Sequence, residues 1–140
     1  MTRFTGRFAV LIDSESASAS ELLARVVQLE RRGFIVGDRS AGLVMEASLY
    51  SHQVSQAPIH YAISVTDADL LMTDGKSLER LGVEPDILVL PSDRDLATKR
   101  DPAMAKAAGL VGGQLSPEEA GTIFPYEESD QFQTTLSLND

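Results

Sequence analysis

Apolar residues fall in two distinct patterns along this chain. Phe8-Ala9-Val10-Leu11-Ile12, Phe34-Ile35-Val36 and Ile87-Leu88-Val89-Leu90 are short unbroken runs. Runs of this kind, bounded by polar or turn residues, predict strands covered on both faces, as in a parallel sheet. Between the first two, Leu22, Val26 and Leu29 share one helical face, with Leu23 and Val27 beside them and Arg25, Glu30 and Arg31 elsewhere. That spacing predicts an amphipathic helix from about Ser20 to Arg32, closed by Gly33 at the C′ position. Strand, helix and strand in sequence make a βαβ unit, for which a right-handed crossover is expected.

Beyond it the periodicity changes. Leu43–His52 and Ile59–Val65 alternate partially between apolar and polar residues, which predicts two extended strands joined through Gln53–Pro58. Thr66-Asp67-Ala68-Asp69 and Thr73-Asp74-Gly75-Lys76 carry turn chemistry, with Leu70-Leu71-Met72 as a short strand between them. Gly82-Val83-Glu84-Pro85-Asp86 punctuates the chain ahead of the last apolar run. Asp101 followed by Pro102 reads as a cap and first turn of a helix through Ala108. Ser116-Pro117-Glu118-Glu119 opens a second short helix in the same manner. Residues 126–140 are polar and acidic without a period, so residues 1–125 are expected to form the domain and the remainder a tail.

Composition narrows the partners more than the fold. The chain has 140 residues, enough for a sizeable core, and a net charge of −9. An acidic surface excludes nucleic acid as the main partner, since a phosphate backbone requires a basic face. With no cysteine, disulfides, thiolate nucleophiles and cysteine-ligated metals are excluded. Close acidic pairs such as Asp67 with Asp69 and Glu118 with Glu119 lack a third ligand, so no metal or other cofactor is expected. No apolar run reaches bilayer-spanning length. The first strand begins almost at Met1, which raises the expectation of a piece of a larger protein.

The junction between the first strand and the first helix, Ser16-Ala17-Ser18-Ala19-Ser20-Glu21, carries the candidate chemistry. It has two readings. Ser18 and Glu21 stand three apart before an apolar run, which is the pattern of a capping box. A small hydroxyl residue at a sharp strand-to-helix turn is also how many serine hydrolases expose a nucleophile beside helix N–H groups. Later motifs bear on the choice: Val36-Gly37-Asp38-Arg39-Ser40-Ala41-Gly42, then Asp74-Gly75-Lys76, Gly82-Val83-Glu84-Pro85-Asp86 and Asp101-Pro102-Ala103-Met104-Ala105-Lys106-Ala107. In this order, across roughly Gly6 to Phe124, they resemble the C-terminal part of the catalytic core of S41 peptidases, the carboxy-terminal processing (tail-specific) and tricorn-like proteases.

The resemblance implies an α/β fold with a crotonase/ClpP-like core, in which a βαβ unit belongs to a mixed sheet with flanking helices. It implies a peptide or protein substrate, Ser18 as nucleophile and the Ala19 N–H as an oxyanion donor. It also marks departures. The processing proteases carry a lysine base where this chain has Leu43, and a further polar residue near what is here Leu29. Tricorn-like members use instead an upstream histidine assisted by a glutamate, for which Glu79 in Leu78-Glu79-Arg80-Leu81-Gly82 is the candidate. The histidine would belong to a missing N-terminal half of the core, and the isolated chain is expected to have little activity and to self-associate as a possible homo-oligomer. The rivals are a degenerate, non-catalytic peptide-binding or assembly domain, which Leu43 and Leu29 favour, and another acyl-transfer chemistry such as thioester hydrolysis on the same fold. His52 and His60 lie in predicted strands, where the Ser51-His52 pair would point to opposite faces. Lys76 sits in a turn, where exposure is expected.

Overall fold

The computed structural model describes residues 4–54 and 59–124. Within them the order is β1 (Ala9–Ile12), α1 (Ala19–Leu29), β2 (Phe34–Gly37), β3 (Glu46–Gln53), β4 (His60–Ala68), β5 (Ile87–Leu88), α2 (Asp93–Ala97), α3 (Pro102–Val111) and α4 (Pro117–Ile123). The architecture is mixed α/β. The expected polar tail, residues 126–140, lies outside the described residues.

The three unbroken apolar runs form one parallel sheet in the order β1-β2-β5, with Ala9 opposite Phe34, Ile12 opposite Gly37 and Val36 opposite Ile87. Ile35 and Val36 are neighbours on a strand and so point to opposite faces. Neither has any solvent exposure, so both faces of β2 are covered. On one face, Ala24 and Val27 of α1 join Ile12, Ile35, Val44, Leu78 and Val83 in a single buried cluster. On β1 and β2, α3 provides further cover, and α4 packs against α3. Asp101 caps α3 by accepting from the Met104 N–H at 2.8 Å, with Pro102 in the first turn.

The antiparallel pair is separate. β3 and β4 form a two-stranded hairpin, so the described strands make one parallel and one antiparallel sheet rather than the expected mixed sheet. Other expectations shift for local reasons. β3 begins at Glu46, not Leu43, because residues 40–44 are drawn into hydrogen bonds with α1 and with Glu79. The predicted turn at Thr66–Ala68 is instead the end of β4. Leu70–Met72 contributes only a single bridge, Leu71 to Ser77. α2 has no apolar stripe long enough to register as a periodic pattern, yet Ser92 and Asp95 give it a complete capping box.

At the end of α1 the left-handed residue is Arg31 (φ 48°), not Gly33. The Arg31 and Arg32 N–H groups reach back to the carbonyls of Gln28 and Val27, a Schellman closure. Gly33 serves another purpose. A Cβ there would lie 2.4 Å from the Phe8 carbonyl oxygen, so its lack of a side chain is what lets β2 start beside β1.

Candidate active site

Asp13 starts the connection from β1 to α1. Its carboxylate accepts from the Glu15 N–H at 3.1 Å and the Ser16 hydroxyl at 2.8 Å, curling the chain as it leaves the sheet. The Ser16 carbonyl accepts from the Ala41 N–H at 2.9 Å, which anchors the turn to the loop after β2. Ser18 follows at φ 58°, ψ −122°, a conformation that L-residues seldom adopt. Such a residue costs roughly 1–3 kcal/mol and persists only where its surroundings hold it.

Ser18 is exposed and is the N-cap residue of α1. The Ser-x-x-Glu capping-box arrangement is present, with the Glu21 carboxylate accepting from the Ser18 N–H at 3.0 Å, but the Ser18 hydroxyl itself makes no well-formed hydrogen bond to the helix start. The Glu21 N–H bonds to the Ser18 carbonyl instead, at 3.0 Å. Ser20 is not the cap either, because its hydroxyl donates to the Ala17 carbonyl at 2.7 Å. The carboxylate half of the capping box therefore holds the Ser18 backbone, while the serine hydroxyl is left without a tight partner and the backbone is strained. The Ala19 N–H, in the first helical position, has no acceptor among the described residues.

What holds Ser18 is Glu21, and its importance is not apparent from the sequence. The residue has no solvent exposure. Its carboxylate accepts from four donors: the Ser40 hydroxyl at 2.5 Å, the Gly42 N–H at 2.7 Å, the Leu43 N–H at 2.9 Å and the Ser18 N–H at 3.0 Å. Burial is the largest single influence on this group and pushes its pKa up. The four hydrogen bonds together outweigh burial and hold the carboxyl below its ordinary range. Glu21 is therefore a buried anion that fastens the serine turn to residues 40–43. The Ser-x-x-Glu spacing predicts the capping bond from the Ser18 N–H to Glu21, which is present, but not the burial of the carboxylate or its other three donors. Burial depends on which loop passes over the helix start, and a single segment cannot report that.

The loop that passes over is itself shaped by close contacts. Ser40 relays the network, receiving the Val83 N–H on its hydroxyl oxygen at 2.6 Å. Gly42 (φ 72°) and Gly82 (φ 68°) meet back to back. A Cβ on Gly82 would lie 2.4 Å from the Ser40 carbonyl oxygen, and one on Gly42 would lie 2.9 Å from the Gly82 nitrogen. Further along the Gly-Val-Glu-Pro-Asp motif, the Asp86 carboxylate accepts from the Ile35 N–H at 2.8 Å and from the Gln28 side chain at 3.1 Å. Gln28 also donates to the Glu84 carbonyl at 2.8 Å, and Arg39 pairs with Glu84. The motif thus ties α1, β2 and β5 together behind the serine.

Leu43 stands beside Ser18. Its carbonyl accepts from the Ser18 N–H at 2.9 Å, while its side chain is 62% exposed. One residue on, the Val44 N–H donates to the Glu79 carboxylate at 2.9 Å. Ser18, Ala19, Leu43 and Glu79 are consequently linked through one short segment, although no hydrogen bond joins Ser18 to Glu79. His52 and His60 lie elsewhere, on the exposed hairpin, with His52 stacked on Tyr61 at 5.5 Å between ring centroids. A cavity of about 770 Å³ opens at the C-terminal ends of β1 and β2, between the sheet and α2–α4. Leu11, Gly37, Leu96, Arg100 and Phe124 help line it, and Ser18 does not. Lys76 is exposed, in a turn that Asp74 fastens to Arg25 at 2.6 Å.

A serine turn of this geometry on a parallel βαβ unit is an arrangement for hydrolases that work through a hydroxyl nucleophile. Comparison with known proteins gives the family. The model of peptidase family S41 matches residues 1–89, from the first strand to the end of β5, and the chain belongs to that family. Among solved structures, mature CPAF complexed with lactacystin is 26% identical, with a TM-score of 0.51 over 64% of this chain and 17% of that one. The photosystem II D1 C-terminal processing protease is 25% identical, with a TM-score of 0.50 over 79% of this chain and 26% of that one. The tricorn protease shares the fold at 16% identity, with a TM-score of 0.62 over 73% of this chain and 10% of that one. The chain therefore spans only a small part of each relative.

Proposed function

We propose that this chain carries the nucleophile of a serine peptidase, with Ser18 as the attacking residue. The supporting observation is the pairing of a strained Ser18 backbone with an exposed hydroxyl that makes no well-formed hydrogen bond to the helix start. On this reading residues 1–125 are the C-terminal part of an S41 catalytic core of the crotonase/ClpP-like kind, and residues 126–140 are a polar acidic tail. The Ser18 hydroxyl attacks the carbonyl carbon of a peptide bond, and its proton passes through a base to the departing amine. The Ala19 N–H meets the oxyanion, a donor worth roughly 3 kcal/mol in the transition state. Water then releases the acyl group from Ser18 by the reverse proton path.

The base is not the residue at position 43, since leucine accepts no proton. It comes from outside the described residues, from an N-terminal half of the core that docks on them. Glu79 orients it through the carboxylate oxygen that the Val44 N–H leaves free. A fluorophosphonate probe tests this reading. Labelling of the longer protein should be strong and should vanish in Ser18→Ala, with the 140-residue chain reacting slowly or not at all. Absence of labelling in a longer protein that holds its upstream half would remove Ser18 from the role.

One observation favours a second reading. Leu43 projects an apolar, largely exposed side chain beside Ser18. In a degenerate relative that binds peptides without cleaving them, this side chain would contact the ligand. Peptide binding that survives Ser18→Ala, in a protein that never labels, would select it.

A further inference from the structure

Strand β4 offers an unpaired edge built in an unusual way. Its inner edge pairs with β3, and no described strand pairs with its outer edge. Exposed edges are normally guarded by charged residues or proline. Here the sequence from Ala47 to Thr66 contains no Asp, Glu, Lys or Arg, in a chain that is 24% charged with a net charge of −9. Two copies of so acidic a chain repel one another over most of their surfaces, and this hairpin is where that repulsion is least. Neither β3 nor β4 packs substantially against another helix or strand. A lone two-stranded hairpin is at best marginally stable in water, so additional strands would stabilise it.

The strand is also nearly symmetric about Ile63. Outward from that residue come Ala62 and Ser64, both small, then Tyr61 and Val65, both apolar, then His60 and Thr66, both polar. Tyr61, Ile63 and Val65 share one face and are 49%, 52% and 44% exposed. We propose that β4 is the seam of a homodimer, pairing antiparallel with β4 of a second copy about a two-fold axis through Ile63. In that register Ile63 meets its twin, and Tyr61 meets Val65 of the partner on each side, an aromatic to β-branched pair of the favourable kind. Each Asp67 falls opposite Ile59 of the partner, so the two acids lie at opposite ends of the seam. The interface is closed and self-complementary, giving a dimer rather than a fibre.

The absence of cysteine makes the register directly testable. Opposed residues on antiparallel strands lie within disulfide reach, so Ile63→Cys should give a covalent dimer on mild oxidation. Thr66→Cys alone should not, because its neighbour across the seam is His60, whereas His60→Cys with Thr66→Cys should. In sedimentation the unaltered chain should dimerise, and Ile63→Lys should weaken association by about tenfold or more with an unchanged circular dichroism spectrum. A unaltered chain that stays monomeric up to about 0.1 mM would overturn the proposal. So would equal cross-linking by Thr66→Cys and Ile63→Cys, which would show contact without this register. If Ile63→Lys unfolds the hairpin, the cysteine pairs still decide.

Discussion

Ile35 and Val36 of β2 have no solvent exposure, whereas every residue of β4 is exposed. Both strands carry residues that favour extended structure, Phe34, Ile35 and Val36 in one and Tyr61, Ile63, Val65 and Thr66 in the other, so propensity alone does not account for the difference in burial. β2 is short, and its position is fixed from outside by α1, α3 and the Asp86 carboxylate. β4 is more than twice as long and is held by cross-strand pairs with β3 alone. The contrast shows where this molecule specifies geometry tightly. Buried polar bonds converge on the βαβ unit, and that unit carries the serine.

The largest expected effect breaks the tight side of this contrast. Glu21→Leu removes the acceptor of the Ser40, Gly42 and Leu43 donors. At about 1–3 kcal/mol for each of the three orphaned groups, the loss should be roughly 3–9 kcal/mol, measurable as a fall in the urea midpoint. Acid should act on the same bonds. The folded Glu21 carboxyl lies below its ordinary value of 4.5, so its contribution is fully present above that pH and is lost as pH falls through and below it. Glu21→Gln should flatten that acid limb of the stability curve, and an unchanged limb would show that another group controls it.

Ser18→Gly sharpens the comparison in the opposite direction. At an ordinary helix cap, glycine costs a few tenths of a kcal/mol. Here it relieves a left-handed strain and loses no well-formed capping bond, so it should stabilise the fold by about 1 kcal/mol while abolishing probe labelling. A lower melting temperature in Ser18→Gly would mean that the serine side chain supports the turn after all. On the loose side, Tyr50→Ser in β3 should cost only about 1 kcal/mol or less in dilute solution, because the residue is half-exposed and its partner is Ile63 across the hairpin.

The same contrast decides what could be read from the sequence. The unbroken apolar runs, the stripe of Leu22, Val26 and Leu29, and the Asp101-Pro102 and Ser116-Pro117 starts each depend on neighbours in the chain, and the corresponding elements are present. The separation of the hairpin from the parallel sheet was not legible, because residues 40–44 are pulled aside by partners far along the chain, Glu21 and Glu79. The site divides in the same way. Ser18 and Ala19 stand out from local spacing together with the order of later motifs. Glu21, Ser40 and Asp86 do not, since a buried acid and a surface acid look alike until the loop above them is in place. Gly33 and Arg31 exchanged roles for a comparable reason, the position of Phe8 on the neighbouring strand.

Position 43 has an evolutionary consequence. Its main chain is held by the Ser18 N–H on its carbonyl and by Glu21 on its own N–H, while the residue is largely exposed and belongs to no buried cluster among the described residues. Geometry and chemistry are therefore inherited separately at this residue. Leu43→Lys should fold with a stability change within about 0.5 kcal/mol, checked by the same urea midpoint. A lineage can thus gain or lose a proton acceptor beside its serine in one substitution, without disturbing the scaffold that presents the hydroxyl.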